Sequence, residues 1–361
     1  SINPVTAPGA SNFNASVLSV LESRAFDYAL RGNEEMGKKA VSAMRDYIDI
    51  ASGGDYNQKG QTVFAIAAVY DWCYPLLTKD DKEAFIDAVI SIASGMEIGW
   101  PPTKQGAVTG HGVEAQLQRE LLCAGIAMYD ERPDIYLNVA GRFFSEFIEA
   151  RKFLYKAHMN MQGDHYTSYR AQWEILATLI MDAIDVPQVF GPEQQFLLYW
   201  TLYARRPDGQ ILRDGDGSRN NAAVGVYTSG YYRSLLHIGN YFNDPYLKWE
   251  GMRQLPFLRA VNPSGNQSMN CVEFLIFNNP DLDGRPTSEL PLTKYFPAPK
   301  GGMIARTGWE DGFDSPAVVA EMKINEYWTA NHQHLDAGAF QIYYKGALAT
   351  DTGYYQAAIS K

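Results

Sequence analysis

The chain has 361 residues, 46% of them hydrophobic and 13% aromatic, and a formal net charge of -10. That apolar content supports a sizeable core and excludes a disordered protein, and the acidic balance gives the whole surface no attraction for nucleic acid. No apolar run approaches the ~20 residues needed to cross a bilayer, so membrane insertion is not expected.

From about residue 14 to residue 277 the pattern is that of amphipathic helices in succession, with apolar residues three and four apart and short links between runs. One start is explicit. Thr78 is followed three residues later by Asp81, a capping-box pair, and then by the apolar stripe Phe85, Ile86, Val89, Ile90 and Ala93, ending near Gly95. Further helices are predicted over 61–74, 113–129, 135–153, 166–184, 192–203, 222–238 and 246–255. Consecutive helices with short links form stacked hairpins, and an α/α toroid is the closed arrangement that gathers their loops on one rim; a superhelical array is the alternative.

Cys73, Cys123 and Cys271 lie far apart with no CxxC spacing and read as small buried hydrophobes. The weakly periodic, proline-containing stretch 279–299 reads as a linker, with a boundary near 290. Beyond it the segments 301–306, 317–324 and 339–344 read as strands of an antiparallel sheet. The segment 346–351 is also strand-like, yet the chain stops at Lys361, which reads as part of a longer protein. The expectation is therefore an α+β chain: residues 1–290 an incomplete α/α toroid lacking an early segment, and residues 291–361 the first strands of a β-sandwich domain. No basic and apolar leader opens the sequence, so location is not legible directly.

Three constellations carry chemistry. In Gly110-His111-Gly112-Val113-Glu114 a histidine at a helix start has an acid three residues on, on the same face; this is either a proton-transfer pair or an ordinary N-terminal helix contact. Tyr166 and Arg170 lie four apart, where a guanidinium favours phenolate over phenol and so suits proton transfer; plain aromatic and arginine packing is the other reading. In Asn331-His332-Gln333-His334, at a strand connection with Asp351 on the next strand, the residue types suit zinc, or equally a hydrogen-bonded polar cluster.

These motifs, with Gln162-Gly163, residues 205–212 and Gln341-Ile342-Tyr343-Tyr344-Lys345-Gly346, occur in one order along nearly the whole chain, and in that order the sequence resembles the heparinase II type of polysaccharide lyase. The resemblance implies an α/α toroid followed by β-sandwich domains. It implies proton transfer by His111, Tyr166 and His332, with Glu114 and Arg170 in support. Asn331 and Tyr355 are implied as substrate contacts, and His334 and Asp351 as ligands of a structural zinc whose remaining histidine would lie beyond Lys361. The implied partner is a glycosaminoglycan of the heparin or heparan sulfate kind, cleaved by β-elimination in a bacterial periplasm or outside the cell. A homodimer is left open.

Elimination at a uronic acid requires neutralising its carboxylate, removing the C5 proton and protonating the leaving oxygen. Tyr166 suits the acid and also the base, His111 and His332 are the other candidate bases, and Asn331 with a protonated Glu114 suits the carboxylate. Competing readings are a lyase for alginate, hyaluronan or chondroitin; a glycoside hydrolase using the pair Asp214 and Asp216; and a non-catalytic carbohydrate-binding protein using Trp100, Trp173 and Tyr355.

Overall fold

The computed structural model describes residues 13–50, 54–104, 113–160, 162–216, 229–261, 269, 271–329 and 332–351. Contacts divide the chain into two compact units, Ser1–Phe147 with Asn270–Ile276, and Ile148–Met269 with Phe277–Lys361.

The first unit is helical: α1 (Ala15–Arg31), α2 (Glu34–Ile50), α3 (Tyr56–Trp72), α4 (Lys79–Ser94), a short turn α5 (Val113–Ala115), α6 (Leu121–Ala127) and α7 (Pro133–Arg142). Helix α1 packs on α2 and α3, α3 on α4 and α6, and α6 on α7. The Thr78–Asp81 capping box starts α4 as expected, Gly95 caps its end, and Phe85, Ile86, Val89 and Ala93 are buried. Each of the larger three contributes roughly 1.5–3 kcal/mol by leaving water. Residues 113–129, expected as one helix, are instead broken by a π-helical stretch, Gln116–Glu120, that is buried all round despite its polar composition. Part of the reason is visible: Gln116 Oε1 accepts from the Ile98 backbone N–H at 3.0 Å, a tie to another segment that periodicity does not register. Cys73 is buried, but Cys271, in the short helix that follows residue 269, is exposed, which corrects the reading of all three cysteines as buried.

The second unit holds α8 (Ile148–Tyr155), α9 (Gly163–Asp182), α10 (Tyr199–Ala204), α11 (Ser229–Tyr241) and α12 (Pro245–Val261), then, after α13 (Cys271–Phe277), a sheet. Helix α11 packs between α9 and α12. The sheet comprises β1 (Thr293–Phe296), β2 (Gly302–Arg306), β3 (Val319–Lys323), β4 (Phe340–Tyr343) and β5 (Ala347–Ala349), in sequence order. Every neighbouring pair is antiparallel. The α+β organisation expected from the sequence is thus present. Strand β1 corrects the linker reading of 279–299: four residues between Pro291 and Pro297 pair with β2 alone, and an edge strand tolerates flanking prolines because it has only one neighbour to bond.

The register sets up the site. Ile304 pairs with Glu321, and Glu321 with Gln341, so a buried row crosses β2, β3 and β4 on one face. Strand β3 turns Val319, Glu321 and Lys323 inward together, an alternation in which two of three buried positions are charged. Buried charges persist only when paired, and here the pairs lead to the loop described next.

Candidate active site

Tyr166 lies in the first turn of α9 and is buried, with Arg170 one turn further on and also buried. The Arg170 guanidinium carbon is 5.2 Å from the centre of the phenol ring. Against the ring lies the imidazole of His332, with centroids 3.4 Å apart and planes 14° from parallel. Residues 166 positions apart in the chain are therefore in face-to-face contact within one unit.

Two glycines make that approach feasible. Gly163 opens α9 at φ +87°, and a Cβ there would stand 2.1 Å from the Asp214 carbonyl oxygen. Gly215, at φ +58°, has room for no Cβ either, because one would stand 2.6 Å from the His332 carbonyl oxygen and 3.0 Å from Gly163 Cα. Both values of φ lie where L side chains are disfavoured. The start of α9, the loop 213–216 and the turn at His332 thus nest backbone on backbone. Asp164 N–H donates to Asp214 O at 2.9 Å, and Asp216 N–H donates to His332 O at 3.0 Å.

The loop then delivers a carboxylate. Asp216 Oδ2 is 2.6 Å from His332 Nδ1, and Asp216 Oδ1 is 3.0 Å from His334 Nε2. An ionised carboxylate only accepts, so each imidazole, when neutral, carries its proton on the nitrogen facing Asp216. The lone pair of His332 is then on Nε2, and that of His334 on Nδ1.

Beneath the loop lies the charged row from the sheet. Asp214 is buried, with Lys300 Nζ 3.1 Å from both its oxygens and Lys323 Nζ 3.2 Å from one. Burial works to raise the Asp214 pKa, but the two ammonium groups outweigh it and hold the carboxyl below its ordinary range. Lys323 also reaches Asp336 at 2.7 Å and Asp351 at 3.6 Å. Burial opposes its charge, yet the carboxylates of Asp214, Glu321 and Asp336 hold its pKa above the ordinary lysine value. Glu321 accepts from Trp200 Nε1 at 2.8 Å and Gln341 Nε2 at 2.6 Å. Burial pushes its carboxyl up to about 7, with Lys323 pulling against it. Gln341 in turn bonds both the N–H and the carbonyl of Arg213, at 3.1 and 2.6 Å, fixing the root of the loop that carries Asp216.

The structure therefore brings together Tyr166, Arg170, His332, His334 and Asp351, all within the second unit. Glu114 is buried in the short turn α5 of the first unit. His111, Asn331 and Tyr355 lie outside the described residues. Asp216 as the partner of both histidines was not read from the sequence; the available signal was an acid between two glycines, Gly215 and Gly217, in a loop. Asp214 and Asp216 do not act as a matched acid pair, since one is locked between lysines and the other holds histidines. Trp173 is 2% exposed and so is no sugar contact.

No family model matches the chain, and the comparison with curated proteins gives no match either. Among solved structures, one described as a heparinase III gene product with methylated lysines aligns with 94% of this chain at 13% identity and a TM-score of 0.49. The chain spans about half, 51%, of the length of that protein.

The zinc ligands can be tested for fit on their donors. With the proton of His334 on Nε2, its Nδ1 lone pair faces Asp351 Oδ2 at 4.0 Å. That oxygen is buried and accepts no hydrogen bond among the described residues. Two such atoms are donors that a cation can share, but Lys323 Nζ, 3.6 Å from the same oxygen, already places one positive charge beside it. No cluster of three or more metal-ligating side chains occurs among the described residues, so the pair supplies part of a ligand set.

Proposed function

We propose that this chain is a polysaccharide lyase acting on a glycosaminoglycan of the heparin or heparan sulfate kind, leaving a 4,5-unsaturated uronate. The observation that carries this reading is the contact between the Tyr166 phenol and the His332 imidazole, the latter oriented by Asp216. A phenol and a tautomer-fixed imidazole side by side give one proton donor and one proton acceptor at a single place, which is what β-elimination needs.

In this mechanism His332 Nε2 takes the C5 proton. The C5–H electron pair becomes the C4–C5 double bond, the C4–O bond breaks, and Tyr166 Oη protonates the departing oxygen. Arg170 beside the phenol ring favours the phenolate that remains. His111 is the proposed second base, serving the opposite C5 configuration. Glu114 and Asn331 are proposed to hold the substrate carboxylate, and Tyr355 to touch the sugar ring. His334 Nδ1 and Asp351 would hold zinc, which supplies a structural tie between the turn after His332 and the strand end. No described helix is long and apolar enough to cross a membrane, and a polymer substrate of this kind points to the periplasm or the exterior.

The test is ultraviolet absorbance of the unsaturated product on a panel of heparan sulfate, alginate, hyaluronan and chondroitin. Tyr166→Phe, which keeps the ring and its stack, is expected to lower turnover by about 10²-fold or more while retaining binding. Full activity in that variant rules out the proton-transfer role. Cleavage without the unsaturated product rules out elimination, and a preference for another polymer on the panel moves the substrate assignment there.

A further inference from the structure

Five residues before the His332 turn, the second unit presents two aromatic rings to solvent, Tyr327 at 56% and Trp328 at 53% exposure. Neither sits on a loose loop. Tyr327 N–H donates to Pro299 O and Glu326 N–H to Lys300 O, both at 2.9 Å, extending the pairing of β2 with β3 beyond its last residue. The Tyr327 ring packs on Phe153, with centroids 5.4 Å apart in a T-shaped contact.

The loop that follows is closed by one side chain. Buried Gln333 donates from Nε2 to Tyr327 O at 2.8 Å and accepts at Oε1 from the N–H and hydroxyl of Thr329, at 2.8 and 2.9 Å. Its backbone carbonyl accepts from the indole N–H of Trp328 at 3.0 Å. The indole is thus tied by its polar edge to the residue between His332 and His334, and about half of Trp328, 53%, stays exposed.

An exposed indole with its only donor already satisfied has nothing left to offer but its face. A flat π-face with a negative quadrupole suits the C–H face of a pyranose ring, and fixing the ring in advance limits the ordering cost of binding. Its tether to the histidine turn makes it continuous with the proposed reaction centre. We infer that Trp328 forms a stacking subsite for a sugar ring of the polysaccharide next to the one being cleaved. This rests on the reading of the site as carbohydrate-directed, and its test separates the two.

Binding is measured by calorimetry and tryptophan fluorescence in the Tyr166→Phe background, with oligosaccharides of the same four polymers as probes. Trp328→Ala is expected to weaken binding about tenfold, and in the active enzyme to raise KM by a similar factor. Trp328→Phe, which keeps a face but removes the indole, is expected to bind within about threefold of its parent while losing the sugar-induced fluorescence change. Melting curves of both variants confirm folding.

Unchanged binding in Trp328→Ala overturns the subsite and leaves the lyase reading standing. Binding that depends on Trp328 in a protein that yields no unsaturated product supports the subsite and removes the lyase. Absence of binding by every probe overturns the subsite, as does a Trp328→Ala variant that binds sugar normally but loses self-association, which would assign the rings to a protein contact.

Discussion

Asp216 meets His332 at 2.6 Å across a separation of 116 residues, and its other oxygen meets His334 at 3.0 Å. One carboxylate therefore sets the tautomer of both imidazoles. Asp216→Asn keeps the shape but offers one acceptor and one donor, so one histidine must shift its proton to the other nitrogen. The expected outcome is a fall in kcat of about 10²-fold or more with KM little changed, because orientation of a base serves the transition state rather than binding. Nitrogen NMR of the two histidines should show the changed tautomer. A variant with wild-type kcat would remove Asp216 from the mechanism.

Asp214 has the opposite job. It neutralises Lys300 and Lys323 in the buried face of the sheet, so Asp214→Asn leaves two buried ammonium groups under-compensated. Breaking such a pair costs about 3–5 kcal/mol, which urea unfolding will detect. If Asp214 were instead an acid of a hydrolase pair, the substitution would abolish turnover with little effect on the unfolding midpoint.

How much of this was legible follows from where each signal resides. The α4 cap at Thr78 and Asp81 is local, and so is the Tyr166–Arg170 spacing on α9; both were readable because a helix repeats on a short period. The HxH motif and Asp351 were visible as residue types, but their geometry depends on loop 213–216, more than a hundred residues earlier. Asp216 is therefore legible in the sequence only as an acid, which pairs with Asp214 in the competing hydrolase reading. Strand β1 was missed because four residues between prolines carry too short a pattern. Trp173, a sugar contact only in the competing non-catalytic reading, is core, whereas Trp328 is exposed: exposure of an aromatic is a tertiary property that composition does not carry.

Glu321 gives the site platform a pH signature. Its folded value of about 7 lies above the ordinary 4.5. Between those values the folded protein keeps a proton that the unfolded chain has shed, so the contribution of Glu321 to stability declines as pH rises through that window and is flat above it. Asp214, held low, acts with the reverse sign and loses its contribution only as pH falls below the ordinary 3.8. Glu321→Gln lacks the proton and should flatten the decline between about pH 4.5 and about 7 relative to wild type. The slope is the readout, because the amide offers Trp200 and Gln341 one acceptor rather than two and lowers stability at every pH. Parallel curves for the two proteins would mean that Glu321 does not titrate in that window.

The two histidines of the turn should separate by function. His332 stacks on Tyr166, whereas Nδ1 of His334 faces Asp351 across 4.0 Å. His334→Ala is therefore expected to abolish zinc retention after dialysis and to lower the melting temperature by several degrees, as chelation should in the wild type, since a ligand bound only to the folded state stabilises it. His332→Ala should keep its zinc and lose turnover. The physical ground is which nitrogen each ring gives to Asp216: His332 meets it through Nδ1 and stacks on Tyr166, whereas His334 meets it through Nε2 and has Nδ1 4.0 Å from Asp351. Zinc loss in His332→Ala with retention in His334→Ala would reverse the assignment, and a wild-type protein whose melting is indifferent to both zinc and chelator would remove the metal altogether.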